Sequence, residues 1–116
     1  MSEADRIRLW HMIEAAEQAG RFVAGRTRDD LDTDPMLLFA LVRAIEVVGE
    51  AASQISPETR QVSPEVPWKA IVGMRNRIVH AYWDIDPDIL WKTVTARLPS
   101  LLPQLRNLLA RSEDPR

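Results

Sequence analysis

Between Asp34 and Ile55 the chain is apolar at Met36, Leu37, Leu38, Phe39, Leu41, Val42, Ile45, Val47, Val48, Ala51 and Ala52. At the helical repeat these residues cover most of a cylinder rather than one stripe. Asp34-Pro35 opens the segment with a side-chain acceptor at the cap and a ring-fixed first residue. The stretch therefore predicts a helix from Pro35 to about Ile55. A helix that is apolar on nearly every side is either central in its bundle or shared with a second subunit. A chain of 116 residues builds one domain around a single core. In a domain of that size the second alternative is favoured, and it predicts a homodimer.

The remaining segments fit the same all-α frame. Leu9, Met12, Ile13, Ala16, Ala19 and Val23 recur at helical spacing and predict a first helix over residues 4–24, with Gly25 ending it. His11 lies within that helix and reads as a surface or packing residue. Thr27 to Asp34 is polar and acidic, with a short turn expected at Arg28 to Leu31. Ser56-Pro57-Glu58 and Ser63-Pro64-Glu65 each predict a short helical turn in the longest irregular connection. Trp68 to about His80 reads as a helix, with Ile71, Val72, Met74, Ile78 and Val79 available to the core. Asp86-Pro87-Asp88 caps a last helix running through Leu90, Val94, Leu98, Leu101, Leu105 and Leu108. Pro99 and Pro103 inside it predict either a bend or a break near Leu98. Residues 112–116 read as a frayed polar tail.

Composition removes several kinds of chemistry. There is no cysteine, so disulfide frameworks, thiolate zinc sites and cysteine nucleophiles are excluded. No secretory leader pattern opens the sequence and no apolar run approaches the ~20 residues a bilayer needs, which predicts a cytoplasmic protein. A net charge of −2 argues against indiscriminate nucleic-acid binding. Yet from Trp68 to Ala81 the only charged side chains are Lys69, Arg75 and Arg77. Acids crowd elsewhere, at Asp29 to Asp34 and Asp84 to Asp88.

That basic stretch contains the densest gathering of chemically useful groups, Met74-Arg75-Asn76-Arg77-Ile78-Val79-His80-Ala81-Tyr82. His80 is one of two histidines and Tyr82 the only tyrosine. On a continuous helix, at about 100° per residue, Asn76 and His80 fall about 40° apart while Arg75 lies about 140° from His80. A two-fold dimer would gather both copies of Arg75, Asn76 and His80 in one cleft. Arginine binds phosphate in a fork and offsets charge on a transferring phosphoryl group. Histidine titrates near neutrality and can act as base toward a ribose 2′-hydroxyl or as acid toward the leaving oxygen. Two histidines supply both roles without a metal or other cofactor. The chemistry is RNA cleavage by 2′-hydroxyl attack, leaving a 2′,3′-cyclic phosphate. The plain alternative is an ion-pairing arginine, a surface amide and a histidine favoured by the dipole at a helix C-terminus.

Glu46 and Glu50, four apart, share a face of the apolar helix. They read as surface charges or as ion-pair partners of Arg75 and Arg77. Two carboxylates with no Asp or His cluster beside them make a weak metal site. Gly49, between them, lowers helix stability by roughly 1 kcal/mol relative to Ala and predicts a close helix–helix approach.

Several of these blocks together resemble one family. Pro67-Trp68-Lys69-Ala70-Ile71-Val72-Gly73-Met74-Arg75-Asn76-Arg77-Ile78-Val79-His80-Ala81-Tyr82, followed by Ile85-Asp86 and Leu90-Trp91, strongly resembles the HepT-like toxins of the HEPN superfamily (DUF86). Ala44-Ile45-Glu46-Val47-Val48-Gly49-Glu50-Ala51-Ala52 is similar to the family's second signature, and Leu98-Pro99-Ser100-Leu101 to its final helix. The resemblance implies a HEPN-type bundle of four to five helices, homodimeric with the Arg-x4-His-x-Tyr motif near the interface. It implies a toxin of a toxin–antitoxin pair, a metal-independent endoribonuclease acting on RNA such as tRNA. Its partner would be a small nucleotidyltransferase antitoxin of the MNT type. Arg75 and His80 match the family's ribonuclease residues, Asn76 matches the polar residue that follows the arginine, and Tyr82 matches the tyrosine to which the antitoxin attaches AMP. A second reading is a non-catalytic helical dimer that binds a nucleotidyltransferase and nucleotide or RNA without cutting.

Overall fold

Ser2, outside the first turn, accepts a hydrogen bond from the Asp5 N–H at 3.1 Å and opens helix α1, Glu3–Val23. The computed structural model describes residues 1–81 and 83–112; Tyr82 and the tail from 113 to 116 lie outside the described residues. Leu9, Met12, Ile13, Ala16 and Ala19 of α1 are buried, as their spacing predicts. Gly25 follows the helix with φ 72°, the left-handed conformation that glycine adopts without a Cβ clash.

The acidic stretch after Gly25 is tied up by two arginines. Arg26 pairs with Asp34 at 2.7 Å and Asp30 at 3.3 Å. Arg28 pairs with Asp32 at 2.8 Å and with the distant Asp88 at 2.6 Å. Between them lies the single turn α2, Asp30–Thr33, two residues later than the sequence suggests. The Asp34–Pro35 signal holds: the Leu37 N–H donates to Asp34 Oδ1 at 3.2 Å and α3 runs Pro35–Ser53.

Helix α3 is the centre of the bundle. It packs along α1 on one side and against α5 (Trp68–Val72) and α6 (Met74–Ile78) on another, while α8 (Leu98–Ser112) covers α1. Leu37, Leu41, Ala44, Ile45, Val48, Ala51 and Ala52 are buried. Met36 (83% exposed) and Phe39 (62%) remain open to solvent, so the protomer does not cover the whole apolar surface of this helix.

The irregular connection after α3 is held by polar groups. Ser56 accepts the Thr59 N–H and starts α4, Pro57–Gln61, as expected. Buried Asp5 accepts from the Ser56 N–H (3.1 Å), the Ser56 hydroxyl (2.6 Å) and the Thr59 hydroxyl (2.5 Å), which fastens the start of α1 to α4. Burial pushes the Asp5 carboxyl upward, but these hydrogen bonds outweigh it and hold the group below the ordinary carboxylate range. Ser63-Pro64-Glu65 forms a turn, closed by the Val66 N–H on Ser63 O, rather than a helix.

The expected helix from Trp68 to His80 is interrupted twice. It divides at Gly73 into α5, Trp68–Val72, and α6, Met74–Ile78. It then ends at Val79, whose φ of −109° and ψ of 101° are extended. A small antiparallel hairpin follows, β1 (Val79–Ala81) and β2 (Asp84–Ile85), pairing Val79 with Ile85 and Ala81 with Asp84. Ile78 and Val79 are adjacent β-branched residues, which suit extended backbone. Val47-Val48 is such a pair and stays helical within α3, so the closing contact matters as well: the Asp86 N–H reaches Ile78 O at 2.7 Å.

Asp86 accepts the N–H groups of Asp88 and Ile89 and caps α7, Pro87–Lys92. The chain then winds as a π segment, Thr93–Arg97, before α8, Leu98–Ser112. Pro99 has no N–H for the carbonyl of Thr95, and its ring would clash with that carbonyl. Immediately before it, the Leu98 N–H reaches Thr93 O in the i→i+5 pattern. The distortion thus falls where the prolines predict it, as a widened turn.

Candidate functional site

The site begins at Gly49. A Cβ there would lie 3.4 Å from Ile71 O and 3.6 Å from Val72 O, so α3 runs directly against the last carbonyls of α5. The glycine predicts a close helix approach at this point, and the two helices do meet here, with room left for a Cβ in ordinary contact. It sets the next element, α6, beside Glu46, one turn earlier on α3. The half-exposed Arg75 guanidinium reaches Glu46, with Nε 3.5 Å from Oε2. On its other side Arg75 Nη1 donates to Asn76 Oδ1 at 3.4 Å.

These residues line a cleft of about 370 Å³ between α3 and α6, together with Arg43, Gly49, Glu50 and Val72. The sequence reading of Glu46 as an ion-pair partner of Arg75 is correct. Glu50 lines the same cleft, but Arg77 does not, and it pairs with neither glutamate. Arg43 was not anticipated. Its signal was present, since it stands three residues before Glu46 and seven before Glu50 on the same helical face. Arg43 makes no ion pair with any described residue.

His80 stands apart from this cleft. It is exposed on β1, between buried Val79 and half-buried Ala81, and is not among the cleft's lining residues. The expectation that Asn76 and His80 share a helical face is therefore corrected, because the helix has ended before His80. Arg75 and Asn76 meet at the cleft; His80 is presented outside it, on a different element. Tyr82, the expected modification site, lies outside the described residues. His11 is exposed and lines a separate groove, with Phe22, Ala40, Arg43 and Val47, between α1 and α3.

Among the described residues no three His, Asp or Glu side chains gather as a metal-ion site. No described helix is long and apolar enough to cross a membrane. The cleft offers a guanidinium held on its Nε side and an amide next to it, while the His80 imidazole is displayed outside it, at the hairpin. A half-exposed pair such as Glu46–Arg75 contributes only about 0–1 kcal/mol, so an incoming anion can displace it.

Comparison with known proteins agrees with this architecture. A family model described as Ribonuclease HepT-like matches residues 12–108. The chain is 33% identical over 105 residues to the Caldanaerobacter subterraneus protein named "Putative RNase TTE0752", covering 90% of this chain and 94% of that one. It is 33% identical over 108 residues to "Probable ribonuclease HepT" of Thermococcus cleftensis, covering 93% and 98%. With "Putative RNase MJ1380" of Methanocaldococcus jannaschii it shares 34% over 93 residues, 80% of this chain and 85% of that one. No solved structure matches. An all-α bundle of the HEPN type, matched across nearly its whole length, makes this chain a member of the HepT-like ribonuclease family.

Proposed function

We propose that the protein is a metal-independent endoribonuclease that works as a homodimer. Arg75 binds the scissile phosphate and offsets its growing charge, Asn76 orients the phosphate or the imidazole, and His80 moves the proton. The observation that carries this is the Arg75–Asn76 pair at the open cleft, with an exposed His80 on the strand that follows. Within one protomer His80 lies off the cleft, which supports a site completed across a two-fold axis. The uncovered Met36 and Phe39 and the apolar α1–α3 groove support a partner subunit on the outer side of α3. With two histidines, one acts as base toward the ribose 2′-hydroxyl. The other protonates the leaving 5′-oxygen, giving 2′,3′-cyclic phosphate and 5′-hydroxyl ends.

The biological setting we infer is a toxin of a toxin–antitoxin pair, with tRNA the first RNA to test. An MNT-type nucleotidyltransferase antitoxin would silence it by attaching AMP to Tyr82. That adduct adds bulk and negative charge close in sequence to His80 and Arg75. The testing experiment is cleavage of total RNA by the purified chain in EDTA, with product ends analysed, beside His80→Ala. Metal-free cutting to cyclic-phosphate ends that vanishes in the variant supports the reading. A folded, AMP-free dimer as inert as its variant overturns it, and leaves the non-catalytic partner of a nucleotidyltransferase in its place.

A further inference from the structure

Arg75 and Arg77 are two residues apart on α6, about 200° round the helix, and serve opposite sides. Arg75 lines the Glu46 cleft, whereas Arg77 lines a second groove of about 320 Å³ whose walls include Met74, Asp88, Lys92 and Arg97. The charge in the two grooves differs. In the first, Arg43 and Arg75 are balanced by Glu46 and Glu50. In the second, three cations face one acid, Asp88, and Arg28 already holds that carboxylate at 2.6 Å. Arg77, Lys92 and Arg97 are exposed and none makes an ion pair with a described residue. In a chain of net charge −2 this is a local excess of positive charge.

The backbone contributes a second, independent observation. Lys92 and Arg97 are five apart, which in regular α winding would set them about 140° from each other. The chain from Lys92 to Arg97 runs through the π segment, and i→i+5 winding brings residues five apart much closer round the axis than α winding does, much as i and i+4 lie in an α-helix. The widened turn before Pro99 therefore aligns the two cations on the groove shared with Arg77. Thr93 Oγ1 is spent on Ile89 O at 2.7 Å, so the groove offers a ligand charge more than neutral hydrogen bonds. Ile89, 39% exposed, adds an apolar surface beside it.

We propose that this groove is a phosphate-backbone subsite for single-stranded RNA, on the side of α6 opposite the Arg75 cleft. The inference rests on the ribonuclease reading for the identity of its ligand. Three cations with no ion-pair partner among the described residues suit consecutive phosphates, and the apolar surface suits a ribose or base between them. The strand would be gripped here by charge while the reacting phosphate lies at Arg75.

The test is binding of a labelled 2′-O-methyl RNA oligonucleotide, which cannot be cut by 2′-hydroxyl attack, measured across a salt series. Wild type is compared with Arg77→Gln/Lys92→Gln/Arg97→Gln and with Arg106→Gln, a control cation paired to Glu17 on another face. For three phosphate contacts on a single strand, the triple variant loses about two units of the log–log salt slope and binds about tenfold or more weakly at 0.1 M salt. The control leaves both unchanged. Equal affinity and slope in the triple variant, with its helicity intact, overturn the subsite even if wild type cleaves RNA, and point these cations toward an acidic protein partner. A slope loss in a chain that never cleaves RNA keeps the subsite and sinks the nuclease reading. Absence of wild-type binding overturns the subsite.

Discussion

Glu46 and Arg75 meet across the α3–α6 cleft at 3.5 Å, carboxylate against the Nε side of the guanidinium. The pair fixes where the arginine stands, yet it also competes with any phosphate that arrives. Both side chains are more than a third exposed, so solvent screens their attraction. Removing the competing charge should therefore release about 1 kcal/mol or less to the ligand. Glu46→Gln is expected to bind a non-cleavable RNA about two- to fivefold tighter in an equilibrium titration. Weaker binding would mean that orientation of Arg75 outweighs competition.

The proposed two-fold site makes a prediction about mixed dimers. His80→Ala should lower metal-free cleavage by at least about 10²-fold, the usual scale for losing an acid or base. When wild type and His80→Ala are refolded together, a site needing both histidines loses activity as the square of the wild-type fraction. An equimolar mixture then retains about a quarter of full activity. A linear fall, to about half, would show that each site works with a single histidine and would overturn the two-histidine arrangement.

Gly49 separates two substitution outcomes. A Cβ at 3.4 Å from Ile71 O is ordinary van der Waals contact, and Ala gains helix propensity of roughly 1 kcal/mol over Gly. Gly49→Ala should leave stability equal or slightly raised in urea unfolding. Gly49→Leu must push α5 away from α3, and is expected to lose about 1–3 kcal/mol as an overpacked site. A neutral Gly49→Leu would mean that this helix contact yields freely.

Asp5 gives the fold a pH signature. Its folded carboxyl titrates below the ordinary value of 3.8, so its stabilising contribution is present above that value. The contribution is lost as pH falls through the folded value. Asp5→Asn removes the charge on three hydrogen bonds and should destabilise by about 2 kcal/mol at pH 7. Denaturant midpoints of the two proteins should converge below about pH 4. A difference that is constant down to pH 3 would assign the effect to shape instead.

The helix starts were legible because each is carried by one or two residues in a row. Asp34-Pro35, Ser56-Pro57 and Asp86-Pro87 all cap as read. The end of α6 was hidden for the opposite reason. Ile71, Val72, Met74, Ile78 and Val79 keep a helical repeat through a stretch where the backbone changes twice. Strands of three and two residues are too short to show alternation. The prolines announced a distorted last helix, but π winding is settled by hydrogen bonding and not by composition. Of the site, Arg75 and Asn76 were found together and Glu46 with them. Arg43 carries no mark in its own neighbourhood, only its register with two glutamates.

The ending of α6 before His80 changes what the spacing between Arg75 and His80 means. Were both on one helix, each inserted residue would swing the imidazole by about 100°. On β1 the pairing runs from Val79 opposite Ile85 to Ala81 opposite Asp84, so His80 is the extra residue of an irregular step in the ladder. Such a step absorbs one residue and re-aims its side chain, and here it leaves the imidazole exposed beside buried Val79. The reach of His80 is therefore set by the hairpin that the Asp86 N–H closes on Ile78 O, and not by the winding of α6. Where the imidazole stands depends on the fit of Ile85 and Asp86 as much as on the residues that follow Arg75.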